Sequence, residues 1–156
     1  MTRVKALLSS VFVVSFTATL AAQAPKEHAA KDDTTQLQGT WQVTRFIDHS
    51  EKAAPAEEIA HFTFEFKGGH LVIRKDKDDR GKEMKYRLDA TKKPKAIDIE
   101  MGSPMASEGI YKLDGEELTV CVVAGSRGSK TAMRPSEFKA SKRDKYSLFV
   151  LKKVKK

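Results

Sequence analysis

His61-Phe62-Thr63-Phe64-Glu65-Phe66-Lys67-Gly68-Gly69-His70-Leu71-Val72-Ile73-Arg74 reads as a single β-hairpin. Apolar and polar residues alternate with a period of two on both arms, and Gly68-Gly69 supplies a two-residue turn that tolerates positive φ. That turn pairs Lys67 with His70, which sets Phe66 opposite Leu71 and Phe64 opposite Ile73 on one face. Thr63, Glu65 and Arg74 share the other face. A slip of one residue would turn three phenylalanines to water, so the register is strongly specified. Glu65 and Arg74 form a cross-strand pair worth about a few tenths of a kcal/mol when exposed.

The same test extends outward in both directions. Lys82 to Leu88 turns Met84, Tyr86 and Leu88 inward, and Ala96 to Met101 turns Ile97, Ile99 and Met101 inward. Glu108 to Leu113 and Leu118 to Ala124 flank the turn at Asp114-Gly115-Glu116-Glu117. Gly39 to Asp48 opens the set and Tyr146 to Lys152 closes it, with Leu148 and Val150 taken as inward. One short helix is expected at Ala56-Glu57-Glu58-Ile59-Ala60, behind Pro55 and with acids in its first turn. Seven or eight short strands joined in sequence predict an all-β fold, an up-and-down antiparallel barrel of about eight strands.

The chain has 156 residues, of which 40% are hydrophobic and 32% charged, the range of one globular domain. Its first 24 residues read as a signal peptide: Arg3 and Lys5 precede the uncharged stretch Ala6 to Leu20, and Ala21-Ala22-Gln23-Ala24 ends it. Cleavage after Ala22 and after Ala24 both fit. The apolar run is shorter than the roughly 20 residues that span a bilayer, so no transmembrane anchor is expected after cleavage. The expected location is therefore periplasmic or extracellular. Pro25 to Gln36 has no apolar period and reads as a flexible leader, and the domain runs from Leu37 to Lys156 with a basic C-terminal tail.

Much of the formal charge of +8 lies at the ends, in Arg3 and Lys5 and in Lys152, Lys153, Lys155 and Lys156. The body is nearly neutral, so nucleic acid is not an expected partner. Weak contact with an anionic surface through the lysine tail is the partner that charge alone suggests. The single Cys121, in the strand-like Leu118 to Val123, has no partner for an intramolecular disulfide and reads as a small buried thiol.

Several segments begin like known sites and depart from them. Asp76-Lys77-Asp78-Asp79-Arg80-Gly81 opens like a calcium loop, but Arg80 and Arg87 stand at ligand positions. Gly125-Ser126-Arg127-Gly128-Ser129-Lys130-Thr131 has the residues of a phosphate loop without the following helix. His61 and His70 sit at opposite ends of the hairpin, so no shared metal ion is expected, and no cofactor is implied. No acid, base and nucleophile stand in a recognisable pattern, so catalysis is not expected.

Four segments taken together, Leu37-Gln38-Gly39-Thr40-Trp41, Lys92-Lys93-Pro94-Lys95-Ala96-Ile97-Asp98, Gly109-Ile110-Tyr111-Lys112-Leu113-Asp114-Gly115 and Arg134-Pro135-Ser136-Glu137-Phe138, resemble an uncharacterised lipocalin-like domain family known mainly from planctomycetes. The resemblance runs in order from Leu37 to Lys153. Gly39-Thr40-Trp41 stands where lipocalins carry a Gly-x-Trp motif. The resemblance implies a barrel whose tryptophan closes one end under a basic residue of the last strand. The usual arginine is absent there, and Lys152 or Lys153 is the nearest substitute. A core residue of some other β fold is the plainer reading of Trp41. The lipocalin relation also implies a small apolar ligand at the barrel mouth, expected near Tyr86, Met101 and Tyr111. Arg134 has two readings, an ion pair with Glu137 that pins a loop and a ligand contact at the mouth.

An eight-stranded barrel is just wide enough to be filled by side chains or to hold one small ligand. The inward residues are mostly bulky, so both outcomes stay open: a small apolar guest at the barrel mouth, or a filled barrel that serves as a protein or cell-envelope interaction module. A monomer is expected in either case.

Overall fold

The structure is a computed structural model that describes residues 32–102, 105–124 and 133–155. The proposed signal peptide and its cleavage site, His28 and the Gly125 to Thr131 loop lie outside the described residues. A short helix, α1 (residues 32–37), precedes β1 (Gly39–Ile47), and α2 (Ala56–Ile59) follows it. Then come β2 (Thr63–Lys67), β3 (His70–Arg74), β4 (Lys82–Asp89), β5 (Lys95–Gly102), β6 (Met105–Asp114), β7 (Glu117–Val123) and β8 (Tyr146–Lys153). Each strand pairs antiparallel with the next, and β1 pairs with β8, so the sheet closes as an up-and-down barrel of eight strands. Closure removes every sheet edge.

The opening hairpin has the register its sequence dictates: Lys67 faces His70, Phe66 faces Leu71 and Phe64 faces Ile73. On the outer face Arg74 Nη1 donates to Glu65 Oε2 at 2.8 Å. Because the strands alternate in direction, the turns at 68–69, 90–94 and 115–116 share one end of the barrel with α1. The connections at 48–62 and 75–81 share the other end, with the end of β7 and the start of β8. The first end is the floor and the second is the mouth.

Three sequence expectations are corrected. The segment Pro25 to Gln36 is not flexible throughout, because residues 32–36 belong to α1 and Asp33 is only 6% exposed. On β8 the inward residues are Ser147, Phe149 and Leu151, opposite Val122, Val120 and Leu118 of β7. Leu148 and Val150 point outward. Both rows of β8 are apolar because the segment 133–141 lies against the outside of the barrel and forms a second small core there. That core holds Ile110, Cys121, Ala140 and Leu148, with Ile47, Phe138 and Tyr146 packed against it. Phe138 packs on this outer face.

Arg134 anchors the same segment. It does not pair with Glu137; its guanidinium donates to the Gly109 carbonyl (2.6 Å), the Ile97 carbonyl (3.2 Å) and Asp98 Oδ1 (2.7 Å). The pinned-loop reading therefore describes its place, with Asp98 as the partner. Gly109 itself must be glycine: a Cβ there would stand 2.5 Å from Val122 Cγ1 and 2.6 Å from the Cys121 carbonyl.

Candidate functional site

The floor is a packed plug. Trp41 is fully buried, and its indole Nε1 donates to the Leu37 carbonyl at 2.8 Å. Lys153, on the partner position of β8, holds its ammonium 5.1 Å from the indole centroid and donates to the Gln36 carbonyl at 2.5 Å. Of the two lysines considered, Lys153 covers the ring; Lys152 is exposed, opposite Gln42, and is not a floor residue. Gly39 adopts φ +110, a conformation that side-chain-bearing residues rarely reach.

Tyr111 and Tyr86 belong to this floor. The Tyr111 hydroxyl donates to Asp33 Oδ2 at 2.5 Å, and Lys95 Nζ donates to the same oxygen at 2.7 Å. Burial first, and then the Asp33 carboxylate, push the Tyr111 phenol well above its ordinary pKa. The Tyr86 hydroxyl accepts from Gln38 Nε2 at 3.1 Å, while Gln38 Oε1 accepts from the Gly68 amide at 2.9 Å. Gln38 thus ties α1 to both β4 and the β2–β3 turn. The ring of Tyr86 meets Phe66 edge-on, with centroids 5.1 Å apart.

The mouth half of the same barrel holds an open-ended recess of about 540 Å³. One wall is aromatic: Phe46 stacks on Phe149 with centroids 4.5 Å apart, and Phe62 and Phe64 lean against that pair. The facing wall is aliphatic, from Ile73, Met84, Ile99, Val120 and Val122. Ser107 and Ser147 are the polar residues of the inner lining, and Lys75, Asp79 and Lys82 stand at the rim. Ser107 Oγ donates to the Val123 carbonyl at 2.6 Å, and Ser147 is likewise buried, at 5% exposure. Asp79 Oδ2 accepts from the Lys75 amide and Oδ1 from the Gly81 amide, which hold its carboxyl below the usual pKa.

The set expected to bind a ligand, Tyr86, Met101, Tyr111 and Arg134, is therefore not assembled at the mouth. Tyr86 and Tyr111 face the floor, because β4 descends and β6 arrives there. Arg134 is outside the wall. Met101 lies toward the mouth end of β5, and its side chain is outside the described residues.

The residues that do line the cavity were partly hidden by two local features. A bulge between Val43 and Arg45 resets the parity of β1, so that Phe46 lines the cavity where strict alternation would turn Arg45 inward. The signal was available: Val43-Thr44-Arg45-Phe46 breaks the period of two. Phe149 and Ser147 were hidden by the apolar outer row of β8.

Comparison with family models, with curated proteins and with solved structures finds no match to this chain.

Proposed function

We propose that this protein is an exported, monomeric, lipocalin-like binding protein that holds one small, largely apolar molecule in the mouth half of its barrel without transforming it. The observation that carries this reading is the cavity of about 540 Å³, inside the range of roughly 300–1,000 Å³ for small-molecule sites. Its lining is aromatic and aliphatic with a few polar groups, the composition of a pocket that gains affinity from apolar burial. The rival reading, a barrel filled with side chains that acts through its outer surface, draws no support from an interior with this much space. The resemblance to lipocalin-like domains is supported by the floor, where Lys153 takes the place of the expected arginine over Trp41.

The direct test is native mass spectrometry of the protein recovered from its own cell envelope, together with titration by the neutral dye N-phenyl-1-naphthylamine. A retained small molecule, or saturable dye fluorescence that Val120→Trp abolishes, is the expected result. A protein that carries nothing and leaves the dye dark refutes the reading.

A further inference from the structure

Each strand of the barrel contributes one row of inward side chains, and the rows differ in how they end at the mouth. The row of β3 runs Leu71, Ile73 and continues to Lys75; that of β4 runs Tyr86, Met84 and ends in Lys82, which faces Ile73 across the ladder. Neither lysine has a carboxylate within ion-pair distance among the described residues. The nearby acid, Asp79, uses both of its oxygens on backbone amides of its own loop. That loop is fixed further by Gly81, at φ +81, where a Cβ would stand 2.5 Å from Val72 Cγ1. The shape of the turn is thus set by backbone bonds, and the two ammonium groups remain unengaged at the edge of an apolar recess.

We infer that the guest is an anionic amphiphile, an aliphatic chain with a terminal carboxylate, whose chain lies in the recess and whose head group sits between Lys75 and Lys82. This rests on the reading of the cavity as a ligand site. A carboxylate placed among phenylalanines would lose its hydration with nothing to replace it. At the rim it meets two exposed cations that also line the recess, and a lysine can lay its stem on apolar surface while its head stays in water. The charge-assisted bond is available there without full desolvation of either partner.

The experiment is displacement of N-phenyl-1-naphthylamine by decanoate, decanol and decylamine, which share a chain and differ in the head group. On the intact protein, decanoate displaces the dye at a concentration roughly tenfold lower than decanol, and decylamine is the weakest. In the double variant Lys75→Met/Lys82→Met the order of decanoate and decanol reverses, and in Lys75→Arg/Lys82→Arg it is kept. Added salt narrows the gap in the intact protein. Unchanged denaturation midpoints establish that both variants are folded. If dye binds but decanoate and decanol compete equally, or the preference survives both methionines, the inference falls and the cavity reading stands. If neither dye nor any of the three amphiphiles binds, both fall.

Discussion

The two halves of this barrel are built from the same eight strands and differ in almost everything else. At the floor, Trp41, Phe66, Leu71, Tyr111, Leu118 and Leu151 are buried to 1% exposure or less, and hydrogen bonds to α1 close the end. At the mouth, Phe46, Ile73 and Phe149 keep part of their surface open to the cavity. The difference shows a division of labour along each strand: the floor-side residues supply stability, and the mouth-side residues leave space. A packed interior gains dispersion contacts that an open one forgoes.

The largest expected effects test the floor. Trp41→Ala or Phe66→Ala should lower unfolding free energy by about 3–5 kcal/mol, read from denaturant midpoints. Phe149→Ala, on the cavity wall, should cost less than half as much, about 1–2 kcal/mol, because part of its ring already lacks packing partners. Equal losses at the two ends would remove the distinction.

A second test uses pH. The Tyr111 phenol is raised in the folded protein, so its contribution is fully present below the unfolded-state value near 10 and is lost as pH climbs above it toward the folded value. Stability should therefore fall on the alkaline side, by up to about 1.4 kcal/mol per pH unit from this one group. Tyr111→Phe should flatten that slope while costing about 1–3 kcal/mol near neutrality, since Asp33 loses a donor. The smallest floor effect is expected at Lys153: Lys153→Met should cost about 0.5–1 kcal/mol, and Lys153→Arg should retain the contact with the indole.

The hairpin register was legible because only one parity of His61 to Arg74 is apolar, and a single-sided pattern has one solution. β8 was misread for the opposite reason. Tyr146-Ser147-Leu148-Phe149-Val150-Leu151 is apolar on both rows, and which row faces in depends on a segment that covers the outside. The place of Trp41 at the floor was suggested by the resemblance of Gly39-Thr40-Trp41 to the lipocalin Gly-x-Trp motif, with its residues alone leaving a core position in another β fold open. The part played by Asp33 was not, since an acid within a polar stretch reads as solvated until Tyr111 and Lys95, far along the chain, are known to meet it. Placing Tyr86 and Tyr111 at the mouth failed for a simpler reason: alternation tells which way a side chain points and is silent about its height in the barrel.

The wrap of residues 133–141 around the outer wall has a chemical consequence for the lone thiol. Cys121 is fully buried beneath it, 3.5 Å from the Lys139 carbonyl, and burial pushes the thiol up in pKa. Thiolate attack needs both ionisation and access, so this sulfur is inert while the covering holds. Its alkylation rate is a clock for that covering: iodoacetamide should label Cys121 only as fast as the belt lifts, and cutting the Arg134 tether should make the clock run faster.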